Sequence, residues 1–438
     1  MDFNIKVQES ISTAIAEEIS ELVKVSADLV DLENHIRKTM QEIGRQVYEK
    51  VLEKEDQAYG KAVPCSCGRQ SQRISRREGK QLTVFGWVTY RRSYYGCPHC
   101  GKKTIPLDQA WHIQPGEISP VMSKLMAIAG VDVAFDRARR NLLEFLLVEV
   151  SDNTIRKHTQ QMGEKQAEIE SAWISQSQDE TWLQSREGKI KDVPERLYGS
   201  MDGVLVPVGK EWRELKTLAW YQVAPVYGKE KARSQEISYH CEIAPAEEFG
   251  KLLWASGVQR FADKARELIF VCDGAVWIWN LVSHYFPDAV QIVDWYHACE
   301  YLTPIASAIF PEEVQKKEWL QKTKNWLWHG KIKKVIRECR KYLKSLAATA
   351  VHAAITYFSN NRHRMKYDEY RKKGYAIGSG TVESACKQIA TARLKISGAR
   401  WTLNGLIATA KARAAWLTDP EIFNTLTRPL PLGKSTTF

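Results

Sequence analysis

The sequence predicts an α/β protein built on a mixed five-stranded sheet, and three observations carry that prediction. Residues 197–208, 218–226 and 237–243 read as three successive strands. The helix-like stretch 246–265 follows, and then two short runs, 268–272 and 289–293, each followed by a helical pattern. The first run is continuously apolar and the second is broken only by Gln291, as strands buried on both faces are. Three strands, helix, strand, helix, strand, helix is an order that suits a mixed sheet with helices packed on its faces.

The elements before the sheet have their own signatures. Ile36, Met40, Ile43, Val47 and Val51 recur at three- and four-residue steps among charged residues, and Ile11, Ile15, Ile19, Leu22 and Val23 repeat the pattern earlier. This predicts an arm of one or two amphipathic helices ending near Glu55. Residues 61–105 change character. Cys65-Ser66-Cys67-Gly68 and Cys97-Pro98-His99-Cys100-Gly101 flank a strand-like run, 82–90, and two cysteine knuckles around a β-hairpin describe a zinc ribbon. Four thiolates suit the tetrahedral preference of Zn²⁺ and leave no open position, so the metal expected at Cys65, Cys67, Cys97 and Cys100 is structural. The alternative is four reduced, unliganded thiols. His99 is a weaker candidate ligand.

Residues 116–170 read as short helices. Ser119-Pro120 starts one, with proline at the favoured first position. Residues 150–158 give a polar turn and the opening of another, carrying Arg156, Lys157 and His158. That arrangement fits a helix-turn-helix entering a major groove, or equally a plain helical hairpin with solvated charges. Residues 301–370 interrupt the α/β plan with helices. There Ile332, Val335, Ile336, Cys339, Leu343 and Leu346 form an apolar stripe, while Lys331, Lys333, Lys334, Arg337, Arg340, Lys341 and Lys344 crowd the remainder.

Composition narrows the function classes. At 438 residues the chain is too long for one ordinary core. A net charge of +11 favours polyanionic partners, nucleic acid first. Nine cysteines, an odd number, argue against a disulfide framework. The start lacks the basic and apolar regions of a signal peptide, and no apolar stretch reaches the ~20 residues of a bilayer span. A soluble, cytoplasmic protein is expected. No Gly-x-x-x-x-Gly-Lys-Ser/Thr loop occurs, which disfavours a nucleotide-binding enzyme.

The candidate chemistry lies where carboxylates fall in the α/β plan. Asp202 sits within the first strand, Asp273 ends the fourth, Asp294 ends the fifth, and Glu383 opens a helix after a glycine-rich turn. Acids beside apolar strands are costly unless solvated, paired or bound to a cation. Carboxylates at neighbouring strand ends converge in one crevice. Such hard oxygen ligands suit Mg²⁺ or Mn²⁺, and two ions about 3.5–4 Å apart clamp both oxygens of an in-line phosphoryl displacement. Each aspartate taken singly also fits a helix cap or turn former.

These motifs together resemble those of bacterial insertion-sequence transposases of the Kra group, within the Mutator-like superfamily. The matching segments are Met-Asp-Gly at Asp202, Cys-Asp-Gly-Ala at Asp273 and Gly-Ser-Gly-Thr-Val-Glu-Ser at Glu383. Asp294 and His297, in Asp-Trp-Tyr-His, resemble the superfamily's Cys/Asp-x-x-His signature. Residues 397–401, Ser-Gly-Ala-Arg-Trp, resemble a stretch common in such transposases. The resemblance runs from about residue 60 to 420. It implies a ribonuclease-H-like catalytic core carrying a DDE triad of Asp202, Asp273 and Glu383 with two Mg²⁺ ions, supported by Asp294 and His297.

The domain plan expected on that basis is an arm at 1–60, a zinc-ribbon-like module at 61–112, and a helix-turn-helix-like DNA-binding region at 113–175. The catalytic core occupies 176–300 and resumes at 371–425 after the helical insertion at 301–370, and a tail spans 426–438. The implied reaction is cleavage and transfer of DNA strands at the ends of a mobile element, on double-stranded DNA, by a homodimer or higher oligomer associated with the nucleoid. Lys387, one turn beyond Glu383, either holds a phosphate or pairs with Glu383. Arg156, Lys157, Arg393, Lys395 and Arg400 are expected on DNA. Trp401 either stacks on a base or lies in the core. A DNA-binding regulator that has lost catalysis and a metal-dependent nuclease of the same fold are the rival readings.

Overall fold

A computed structural model describes residues 26–113, 116–186, 193–224 and 233–427. The early pattern at residues 11–23 lies outside them. The chain forms two compact units: residues 1–158 with 427–438, and residues 159–426. The division falls inside one helix, earlier than the boundary expected at 175.

Among the described residues the first element is α1 (Leu29–Ala58), capped by the Asp28 carboxylate, which accepts from the Asp31 N–H at 2.9 Å. Strands β1 (Ala62–Pro64), β2 (Gln70–Thr83), β3 (Gly86–Gly96) and β4 (Lys103–Thr104) form one antiparallel sheet in that order. The run read as one strand at 82–90 contains the hairpin turn, because Gly86 at φ +86° accepts the left-handed backbone that closes it. Asp56 of α1 is fully buried, yet it accepts from the Ser93 N–H at 2.6 Å and the Ser93 hydroxyl at 2.7 Å, which ties the helix to β3. Short α2 (Pro106–Ala110) then leads to α3 (Pro120–Asp132), α4 (Phe135–Leu146) and α5 (Asp152–Ser177). Ser119 caps α3 and Pro120 begins it, as the sequence predicts. Met122, Met126, Ala138, Leu142 and Ile155 form the shared core of this helical part.

The second unit holds the five-stranded mixed sheet. Its strands are β5 (Arg196–Val208), β6 (Glu211–Val223), β7 (Ser234–Glu242), β8 (Glu267–Cys272) and β9 (Val290–Val293), in spatial order β7-β6-β5-β8-β9. The first three are antiparallel and the last three parallel. β6 begins seven residues before the apolar run that signalled it, because a two-residue turn at Gly209-Lys210 pairs Val208 directly with Glu211. Helix α6 (Glu180–Arg186) precedes the sheet. Helices α7 (Ala246–Gln259) and α8 (Val276–Tyr285) form the βα connections, and Trp220, Phe270 and Phe286 pack edge-on or tilted between sheet and helix.

After β9 the chain is helical, as expected: α9 (Trp295–Glu300), α10 (Thr303–Ile309), α11 (Glu313–Trp328), α12 (Ile332–Arg340), α13 (Ala348–Asn361) and α14 (Tyr367–Lys372). On α12 Ile332, Val335, Ile336 and Cys339 are buried and every lysine and arginine is exposed, but the expected stripe stops where the helix ends at Arg340: Leu343 is half-buried and Leu346 is 97% exposed. The last segment returns to the sheet through α15 (Gly380–Ala385), a π-helix at Cys386–Leu394 and α16 (Leu403–Thr418). Helix α16 crosses α5 so closely that a Cβ on Gly163 would lie 1.7 Å from the Ala408 carbonyl oxygen, so no larger residue fits there. Among the described residues, no helix is long and apolar enough to cross a membrane.

Candidate functional site

Two groups of chemistry-bearing residues stand out, one in each unit. In the first unit the knuckle turns bring Cys65, Cys67, Cys97 and Cys100 together, with all four sulfurs within 4.8 Å of one another. Cys65 and Cys100 are 3.6 Å apart, and Cys67 and Cys97 are 3.7 Å apart. Four thiolates about 2.3 Å from one tetrahedral zinc would be separated by about 3.8 Å, close to these distances. Gly68 and Gly101 follow the knuckles at φ +81° and +71°, conformations that side chains disfavour. The backbone N–H of Cys67 donates to Cys65 and brings its thiol down to about 6, so one ligand is ready as thiolate at neutral pH. The cluster could bind a metal such as zinc.

In the second unit the register of the parallel strands aligns three aspartates. Gly199 pairs with Phe270, and Cys272 pairs with Val293. Carrying that register forward sets Asp202, Asp273 and Asp294 side by side in one row, on strands about 4.8 Å apart. Their surroundings differ.

Asp294 is fully buried. Its Oδ1 accepts from the backbone N–H groups of Tyr296, at 2.5 Å, and His297, at 3.0 Å, so it caps α9. Its Oδ2 accepts from the hydroxyl of Ser379, at 2.6 Å, and from the Ser379 N–H. One carboxylate thus fixes both the helix that carries His297 and the loop that leads into Glu383. With both oxygens occupied, Asp294 serves as a cap and a clamp.

Asp202 and Asp273 are half-buried. Asp273 accepts from the Ala275 N–H at 2.9 Å. Burial pushes its carboxyl above the ordinary range, and the neighbouring Asp202 pushes the same way. Asp202 accepts from the Gly203 N–H at 2.7 Å and from the Cys386 thiol at 3.3 Å. Burial and Asp202 keep that thiol protonated.

Glu383 reaches the row from α15, its Oε1 lying 3.6 Å from Nε2 of His297, whose Nδ1 lies 3.3 Å from Glu300. Burial lowers the His297 pKa, but Asp294, Glu300, Glu383 and Asp273 outweigh it and the imidazole holds its proton more tightly than usual. The structure therefore gathers Asp202, Asp273, Asp294, Glu383 and His297 at one end of the sheet. Among the described residues no set of three acids draws its oxygens as close together as the four cysteine sulfurs.

The stretch at residues 22–188 matches the model of Uncharacterised protein family (UPF0236). That stretch takes in the cysteine cluster and the helices after it, and it ends before the first strand of the acid row. No curated protein matches the chain. The similarity brings no activity with it, and the site has to be read from its own chemistry.

The remaining sequence-predicted residues are scattered. Arg156 and Lys157 are exposed on the first turns of α5, and Arg156 donates to Asn153 at 2.6 Å. Lys387 and Arg400 are exposed and Lys395 is half-exposed. Arg393 and Trp401 correct the expectation of DNA contact. They are 1% and 7% exposed, the guanidinium lies over the indole at 5.2 Å, and the indole N–H donates to the Leu394 carbonyl at 2.9 Å. Side chains this deep support the segment after the π-helix and cannot reach a phosphate. Sequence reasoning missed Ser379 and Cys386, because only the return of the chain to the sheet shows which acid each one touches.

Proposed function

We propose that the chain is a DDE-type DNA transposase with a ribonuclease-H-like catalytic core that cleaves and joins DNA strands at the ends of a mobile element. The observation that carries this reading is the register that sets Asp202 and Asp273 side by side at one sheet end, with Glu383 brought to them by a helix from the far end of the chain.

The donor set fits hard divalent cations. Asp202, Asp273 and Glu383 offer carboxylate oxygens, and burial and the neighbouring Asp202 oppose the Asp273 charge unless a cation compensates it. Two Mg²⁺ or Mn²⁺ ions held by Asp202, Asp273 and Glu383 would supply charge for the attacking and leaving oxygens of an in-line displacement. The protein's own groups do the rest. Asp294 and Ser379 hold the Glu383 loop. His297, between Glu300 and Glu383, keeps Glu383 turned toward the row. Lys387, Lys395 and Arg400 supply cations for phosphates beside the site. In the first unit the zinc-ribbon-like module and the helix bearing Arg156 and Lys157, read as a helix-turn-helix, are the DNA-reading parts. Cutting two ends calls for a homodimer or larger assembly on double-stranded DNA, placing the protein at the nucleoid.

The test is a cleavage and joining assay on DNA flanking the protein's own gene, with Mg²⁺, comparing the natural protein with Asp273→Asn. Joined products from the natural protein alone support the reading. Cleavage without joining points to a nuclease. Tight binding without cleavage by either protein points to a regulator, and equal activity in both overturns the acid assignment.

A further inference from the structure

A groove leads away from the acid row along α13. One cavity, of about 630 Å³, is lined by Asp273 and His297; its neighbour, of about 730 Å³, extends to His363 and Arg364. They share Gly274, Tyr301, Ala353 and Tyr357, so they form one continuous depression. The chemistry changes along its length. The end at the row is acidic, whereas the far part is lined by amides, imidazoles and aromatic rings and by no carboxylate.

Two features of the groove point to a ligand with flat rings and phosphates: an exposed tyrosine braced from beneath, and a fixed arginine. Tyr301 stacks on Tyr357 with ring centroids 3.9 Å apart and is still 37% exposed. Tyr357 is only 8% exposed, and its ring lies so close over Gly274 that a Cβ there would come within 2.1 Å of it. The Tyr357 hydroxyl has no hydrogen-bond partner among the described residues. At the far end Arg364 is fixed by Gln291, 2.7 Å away, and by stacking over Trp279 at 4.7 Å, so its cation is held in place. From Ala353 to Arg364 the helical rise is about 17 Å, enough for about two or three nucleotides.

We propose that this groove binds single-stranded DNA, a few nucleotides of the strand leaving the acid row, with a base on Tyr301 and a phosphate at Arg364. The proposal rests on the transposase reading for its place in the reaction. An unpaired strand is favoured over a duplex because only its bases offer a free ring face to an aromatic side chain.

The test uses the full chain without added Mg²⁺, a short fluorescein-labelled oligothymidylate, and a labelled blunt duplex, read by anisotropy. The variants are Tyr301→Ala and Asn360→Glu; Asn360 is exposed, so this second change leaves the core alone. Both should weaken single-strand binding about tenfold or more while duplex binding stays constant, and Asn360→Glu should also keep the natural melting temperature, which Tyr301→Ala lowers by losing its stack on Tyr357. Single-strand binding equal to that of the natural protein in both variants overturns the proposal, as does an equal loss of duplex binding. The cleavage assay separates the two ideas. Groove-dependent binding by a protein that never cleaves keeps the groove and removes the transposase. Cleavage that depends on Asp273, with oligonucleotide binding indifferent to Tyr301 and Asn360, does the reverse.

Discussion

Replacing Asp294 by Asn tests the clamp at the centre of the acid row. The side chain keeps its size, and its Oδ1 still accepts from the Tyr296 and His297 N–H groups, now without a full charge. The other position becomes an NH₂ group facing the Ser379 N–H, donor against donor, in a place with no access to water. The Ser379 hydroxyl can turn and accept, but the backbone N–H cannot. One charge-assisted bond is lost and two others weaken, so the expected cost is about 3 kcal/mol. Asp294→Ala leaves every donor unpaired and should cost about 4–5 kcal/mol; Ser379→Ala loses a single hydroxyl bond and should cost about 1–2 kcal/mol. Asp273→Asn is the contrast. Burial already opposes the Asp273 charge, so neutralising it should cost little or even stabilise. Urea unfolding followed by tryptophan fluorescence suits the measurement, because Trp295 adjoins the clamp and packs on Trp328 at 5.3 Å. An Asp294→Asn protein within about 0.5 kcal/mol of the natural one refutes the clamp, since surface substitutions alone have effects of that size.

Two further outcomes follow from buried groups elsewhere. Protein prepared with zinc should carry about one ion per chain by elemental analysis, and Cys97→Ser, which removes the most buried of the four ligands, should lose it and lower the melting temperature; unchanged metal content would remove the cysteine centre. In the second unit, buried Glu170 lies 2.5 Å from Lys411 and 3.0 Å from His240. Burial raises its carboxyl pKa, but Lys411 and His240 outweigh that and bring it to about 2, against 4.5 for an ordinary glutamate. A depressed folded pKa adds stability that is complete above pH ~4.5 and is lost as pH falls through the folded value. Glu170→Gln should therefore destabilise at pH 7 and converge on the natural protein in acid, and a difference independent of pH would refute the pairing.

Periodicity made the architecture readable wherever each side chain has one environment. The run in β8 is unbroken because its last four residues are buried in the sheet interior, the run at β9 admits Gln291 because that strand is the sheet edge, and the α12 stripe alternates with its cations because only one side of that helix meets the protein. Boundaries set by turns were harder to read. The hairpin turn hidden at Val84-Phe85 and the early start of β6 depend on the conformations of Gly86 and Gly209 and on strand pairing, which a single segment does not display.

By itself, the sequence determined that four cysteines lie in two knuckles, that one aspartate lies within a strand and two at strand ends, and that a helical segment precedes Glu383. Each of these follows from local spacing. Tertiary structure decided the roles. Asp202, Asp273 and Asp294 share one row because parallel pairing fixes their register. Asp294 became the clamp because Ser379, 85 residues later, returns to occupy its second oxygen. Arg393 and Trp401, which in sequence look like any basic and aromatic pair near a site, went into the core, where the guanidinium lies over the indole and the indole N–H donates to the Leu394 carbonyl. Register, burial and long-range hydrogen bonds are relations between distant segments, and no local pattern contains them.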